Sequence, residues 1–312
     1  MINKELRASF LLLLTAAIWG FAFVAQRVGM QYIGAFTFNG IRFALGSLSL
    51  VPIIRYFEKK NKDKEKEVNR GNPKLIFKYG FIAGGVLFIA ATLQQVGMIY
   101  TTAGKAGFIT SLYIVLVPIL SILIRQRSTS NIWVGAIVAA IGLYFLSINE
   151  DLTIEFGDLL QLIGAFFWAT HIIVIGFFVS KVDAIKLSSM QFATCSILSF
   201  VVAFIFEDIQ IANIGYALIP LLYGGLMSVG IAYTLQVVAQ RHAKASHAAI
   251  ALSMEAVFAA IGGMVLLGER MAFRGYFGSA LMLAGMLISQ ADNFKKRNRK
   301  TVEADQHNLL TK

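Results

Sequence analysis

Three ionisable side chains stand inside long apolar runs of this chain: Arg42, His171 and Glu255. A charge at the centre of a bilayer costs about 2.5–3.5 kcal/mol on insertion scales, so each needs a reason to be there. Glu255 could partner a substrate amine or carry a proton; it could equally anchor two helices through hydrogen bonds. Arg42 could clamp a carboxylate through two parallel N–H bonds, or bury its stem and tie helices together. His171 lies three residues from Trp168, on the same face of a helix. That placement suits substrate contact or proton sensing, against the alternative of a satisfied core histidine.

Amides and aromatics form a second set. Gln94 and Gln95, Gln191, Gln236 and Gln240 also fall deep within apolar runs. Polar groups in lipid turn inward, towards a cavity or a partner helix. Trp19, Phe23, Tyr113, Trp168 and Tyr233 could supply stacking or cation–π walls. The candidate substrate-binding set is therefore Trp19, Phe23, Arg42, Gln94, Tyr113, Trp168, His171, Tyr233, Gln236 and Glu255. No catalytic residue is expected, because no Walker lysine loop, HExxH or GxSxG is present. The single cysteine, Cys195, offers neither a disulfide nor a zinc site, and no metal or cofactor is expected.

The elements that must position these residues follow from composition. The chain is 57% hydrophobic and only 14% charged, whereas a soluble domain carries about 25% charge. A bilayer accounts for the difference. Ten runs approach the roughly 20 apolar residues that a spanning helix needs: 8–27, 34–55, 74–99, 104–124, 131–148, 157–180, 185–206, 214–240, 246–267 and 273–290. They do not alternate, which excludes a β-barrel. Residues 56–73 and the tail from Lys295 are strongly polar and read as aqueous. The net charge of +11 sits between the apolar runs, so it reports topology rather than nucleic acid. With the N-terminus inside, inner segments hold 23 Lys and Arg against 4 outside. This places both termini in the cytoplasm.

The chain also repeats itself. Ile18-Trp19-Gly20 matches Phe167-Trp168-Ala169, and Arg42-Phe43-Ala44 matches Gln191-Phe192-Ala193, each 149 positions on. Gly84-Gly85 matches Gly224-Gly225, and Leu93-Gln94 matches Leu235-Gln236. Gln126-Arg127, Gly135 and Gly142 match Glu269-Arg270, Gly278 and Gly285, 143 positions on. The drift in offset implies small gaps in connecting loops. The expected units are a five-helix repeat at 8–148, a second at 157–290, and a basic cytoplasmic tail at 291–312. Five is odd, so the second unit crosses the membrane in the opposite sense. Such inverted repeats are the recurring architecture of secondary transporters. Gly135, Ala139 and Gly142, with Gly278, Met282 and Gly285, are expected at close helix contacts. Pro118 and Pro220 are candidate kink sites in helices 4 and 8.

These residues resemble a known family. Ile18-Trp19-Gly20-Phe21-Ala22-Phe23, Ile41-Arg42-Phe43, Ser253-Met254-Glu255-Ala256-Val257-Phe258 and Leu266-Leu267-Gly268-Glu269-Arg270 are similar to motifs of the drug/metabolite transporter superfamily, EamA-like branch. Two positions depart from its pattern: Ala256 replaces a proline and Gln126 a glutamate. The resemblance spans about 8–290. It implies an all-α, ten-helix carrier with a central cavity framed by helices 1–4 and 6–9, and helices 5 and 10 peripheral. It further implies outward movement of a small metabolite, such as an amino acid or drug-like amphipathic solute, across the plasma (inner) membrane by alternating access. An importer is the nearest alternative; a membrane scaffold or intramembrane enzyme is a remoter one. Without an ATP site, a proton or other ion or solute gradient would supply the energy.

Overall fold

The computed structural model describes residues 4–60, 72–101, 103–125, 128–147, 155–267, 273–289 and 291. Most of the polar 56–73 loop, the Gln126-Arg127 and Glu269-Arg270 pair and the basic tail lie outside them.

Each apolar run is helical, as it must be where lipid offers backbone groups no hydrogen bonds. Helices α1 (Lys4–Gly29), α2 (Ala35–Lys60) and α3 (Pro73–Tyr100) are unbroken. The fourth run divides at Leu112 into α4 (Ala103–Ser111) and α5 (Tyr113–Leu123), and α6 (Ser130–Ser147) follows. In the second half α7 (Phe156–Phe178) and α8 (Ala184–Phe206) are unbroken. The eighth run comprises α9 (Ile211–Tyr216), α10 (Leu218–Leu222), a π-helical segment (Tyr223–Tyr233) and α11 (Thr234–Gln240). The ninth divides at Ser253-Met254 into α12 (Ala245–Leu252) and α13 (Glu255–Leu267), and α14 (Phe273–Ser289) completes the set. Among the described residues eight of these segments are long and apolar enough to cross a membrane, and Ser130–Phe145 is a shorter apolar helix. Large apolar side chains such as Phe204 and Leu123 lie on the outside, at 75% and 77% exposure. Lipid makes that arrangement stable.

The packing reproduces the repeat. Exchanging the halves maps α6 against α14 onto itself, and likewise α2 against α8. The α3–α7 contact has its image in α1 against the π segment and α11. The α3–α8 contact has its image in α2 against the π segment, and α1–α13 in α7 against α4 and α5. The expected small residues make the α6–α14 seam. A Cβ on Gly135 would lie 2.6 Å from the Gly285 carbonyl, and one on Gly142 2.6 Å from that of Gly278.

One expectation needs correcting. The drift in offset is not confined to loops. Gly84 and Gly224 are 140 positions apart, yet Gln94 and Gln236 are 142 apart. The two additional residues fall within the stretch that α3 winds as α-helix and its counterpart winds as the π segment. An i→i+5 helix takes more residues per turn, so it absorbs an insertion without changing the span of the membrane. The segment also packs very closely on α2: a Cβ on Gly225 would meet that of Leu45 at 2.7 Å, and one on Gly46 would meet Val229 at 2.2 Å. Nor do the breaks fall at the candidate kink residues alone. Pro118 sits inside α5, and the fourth run breaks at Leu112 instead.

Candidate functional site

The helix breaks converge on one cavity. Leu112 and Met254, where the fourth and ninth runs break, are 142 positions apart, within one residue of the offset of 143 that relates Gly135 to Gly278, so the two interruptions are related by the repeat. They bring Tyr113, in the first turn of α5, against Glu255, in the first turn of α13. The Tyr113 hydroxyl donates to Glu255 Oε1 at 2.8 Å, wholly buried.

Around that pair the cavity is walled by α1, α2, α3, α4, α7 and the eighth run. Nine of the ten sequence candidates lie on its wall: Trp19, Phe23, Arg42, Gln94, Tyr113, Trp168, Tyr233, Gln236 and Glu255. The exception is His171. It is completely buried but off the wall, because its Nε2 bonds Gln191 Oε1 at 2.9 Å and its ring stands edge-on to Trp168 and Tyr233. Of the remaining amides, Gln240 donates to the Ile172 carbonyl at 2.7 Å, tying α11 to α7. Gln95 is buried away from the wall.

Tyr233 is the aromatic hub. Its ring centroid is 4.4 Å from Trp19, 5.9 Å from Phe192, 6.0 Å from Phe43 and 6.1 Å from Trp168. The Trp19 indole donates to the Ser228 carbonyl at 3.2 Å and Thr15 to that of Ala232 at 3.1 Å. Helix α1 is thereby bonded directly to the backbone of the π segment.

Several polar groups on the wall have no protein partner. Arg42 is 2% exposed; its Nε and Nη2 bond nothing, and its guanidinium carbon lies 4.9 Å from the Phe43 ring centroid. Trp168 Nε1 and both ends of the Gln236 amide are likewise unbonded. Buried polar groups are unfavourable unless satisfied, so this wall is built to meet a polar ligand or ordered water. The free volume is about 30 Å³, against about 300–1,000 Å³ for a typical small-molecule pocket. As it stands, the space is of the order of a single water molecule.

Sequence reasoning missed Gln26, Thr110 and Ser228 on the wall and Gln161 behind it. Gln94 Nε2 donates to Gln26 Oε1 at 3.2 Å, Gln161 Nε2 to the Gln94 carbonyl at 2.8 Å, and Thr110 to Gln161 Oε1 at 3.2 Å. Gln26 was legible: it is three residues from Phe23 and seven from Trp19, on one helical face. Among the described residues no group of His, Cys, Asp and Glu could hold a metal ion.

Comparison with known proteins gives a consistent match. The EamA-like transporter family matches twice, over residues 6–148 and 155–290. An uncharacterized transporter of Archaeoglobus fulgidus is 32% identical over 290 residues, covering 91% of this chain and 86% of the relative. The uncharacterized transporter YoaV of Bacillus subtilis is 26% identical over 282 residues, covering 87% and 92%. A solved crystal structure superposes with a TM-score of 0.73 at 15% identity, over 91% of this chain and 96% of its own, and so supports the fold alone.

Proposed function

The chain belongs to the EamA-like transporter family, and from that premise we propose that it is a secondary carrier exporting a small amphipathic solute of the amino-acid type. As a multi-pass membrane protein of a transporter family, it is not an enzyme. The observation that carries the finer reading is the cavity wall. It presents an unpaired, buried guanidinium on Arg42, a carboxyl on Glu255 and an aromatic hub between Trp19 and Trp168. A solute with a carboxylate, an amine and an apolar body satisfies all three: bidentate bonding to Arg42, an ion pair with Glu255, and stacking on the rings. Alternating access then consists of parting the two five-helix units on one face and closing them on the other.

We place both termini in the cytoplasm and the protein in the plasma membrane. Supporting this, Lys4, Arg7 and Arg241 gather at one end of the bundle. Together with partial burial, their repulsion holds the His242 imidazole below its ordinary pKa. Cations gathered at one face are the mark of the cytoplasmic side.

The test is flux into liposomes with labelled amino acids and cationic drugs, with and without a pH gradient. Protein-dependent movement of a zwitterion is expected, and absence of flux across the panel rejects the carrier reading. Glu255→Gln should abolish the response to pH while Tyr113 keeps its hydrogen-bond partner. A surviving pH response in well-folded E255Q would make Glu255 a packing residue.

A further inference from the structure

The two halves differ at one matched pair of positions beside the cavity. In the first half Ala22 on α1 and Arg42 on α2 both face the open space. Their counterparts, 149 positions on, are His171 on α7 and Gln191 on α8. Both counterparts are 0% exposed and neither reaches the wall. His171 Nε2 bonds Gln191 Oε1 at 2.9 Å. Since an amide oxygen accepts, Nε2 carries the hydrogen and Nδ1 is an acceptor. That Nδ1 and the Gln191 amide nitrogen both lack partners. A methyl group in one half thus stands opposite an imidazole in the other, at a site where the surrounding helices pair by the same symmetry.

We propose that His171 is a plug. Its ring fills a second lobe of the cavity, the two-fold image of the lobe that Ala22 leaves open beside Arg42. It thereby sets the upper size of the solute and leaves it one polar anchor on the α2–α8 pair instead of two. The walls of the lobe are already in place. Trp168 and Tyr233 hold the imidazole edge-on, with centroids 6.1 and 6.3 Å away, and both also line the open cavity. Removing the ring would join the lobe to the cavity and present the Gln191 amide to it. The added chemistry is a neutral donor and acceptor, suited to a solute longer by one amide or carboxylate, such as a dipeptide beside an amino acid. Because the unpartnered polar atoms are already there, the enlarged cavity would gain hydrogen-bonding capacity as well as volume. This inference rests on the cavity being the solute site, so its test has an arm independent of transport.

In a Cys195→Ser background, Gln191→Cys supplies a single thiol. With His171 present it should react slowly with a small methanethiosulfonate reagent. Adding His171→Ala should speed labelling by about tenfold or more, because reaction no longer waits for local opening of a packed core. His171→Phe, which refills the lobe without a hydrogen bond, should stay slow. In liposomes, H171A with Gln191 and Cys195 intact should move a labelled dipeptide that wild type excludes. If H171A aggregates, His171→Ser takes its place in both arms. A thiol that labels no faster in the monodisperse variant overturns the plug. So does faster labelling with an unchanged size limit for amino acids and dipeptides. If no solute moves in any protein, the transport reading fails, while the labelling arm still decides whether the lobe exists.

Discussion

The α2–α8 pair is tied differently at its two ends, although the residues involved occupy matching positions. Glu207, the residue immediately after α8, is the counterpart, 149 positions on, of Glu58 near the end of α2. At the start of α2, Glu207 reaches across and caps the helix. Its carboxylate accepts from the Phe36 N–H at 2.8 Å, and from the Thr37 N–H and hydroxyl at 2.7 Å each. At the start of α8, Glu58 makes no such cap and instead pairs with Lys186 Nζ at 2.6 Å. The reason lies one residue before each helix. Gly34 offers no side chain to cap α2, and a Cβ there would fall 2.2 Å from the Glu207 carboxyl carbon. Its counterpart is Asp183, which caps its own helix by accepting from the Ile185 and Lys186 N–H groups at 3.0 Å. A local cap displaces the distant one. One end is therefore held by charge-assisted bonds to backbone, and the other by a pair whose members are 27% and 53% exposed. Under the alternating access proposed above, in which the ends would part in turn, those two fastenings are not equivalent.

Glu207→Ala breaks the comparison most severely. It removes three hydrogen bonds at a helix start, where caps are worth about 0.5–2 kcal/mol and bonds to a charged acceptor about 1.5–3 kcal/mol. A loss of about 2–3 kcal/mol is expected, read as a lower unfolding midpoint in detergent. Gly34→Asp in that background transplants the arrangement at the start of α8. With Glu207 gone the new side chain has room, and it should restore about 1 kcal/mol. No recovery would mean that Glu207 acts by tying α8 to α2 rather than by capping.

How much of this was legible in sequence varies with the type of signal. The helices were, because lipid forces every long apolar run into one form. The nine wall residues were, because polar and aromatic side chains within such runs have few places to go. The Glu207 cap was not. It joins residues 170 or more positions apart, and nothing near Gly34 announces a missing cap except the glycine itself. The π segment was visible only as a change of offset from 140 to 142, which in a sequence cannot be told from a loop gap. The breaks at Leu112 and Ser253 carry no proline, so composition is silent there. His171 misled for a related reason. Its apolar surroundings and the nearby tryptophan are the same whether it faces the cavity or fills a space beside it.

Asp183→Ala sharpens the comparison from the other end. It should cost about 1 kcal/mol, the ordinary value of an N-cap side chain. Less is expected than for E207A, because the bonds that it removes lie within one helix start and join no second helix. The smallest effect belongs to Lys186→Ala or Glu58→Ala. Exposed ion pairs contribute about 0.2–1 kcal/mol, and salt at 1 M, with a Debye length of about 3 Å, erases most of that. Each single change should shift the unfolding midpoint barely at all in high salt, and the double change no more than either alone. D183A should alter this. With the local cap gone, Glu58 is the nearest carboxylate at the position that Glu207 fills at the other end, so E58A should become more damaging in D183A than in the parent. An additive double variant would show that the start of α8 cannot adopt the arrangement seen at the start of α2, and that the difference between the ends lies in the backbone approach and not in the choice of capping residue.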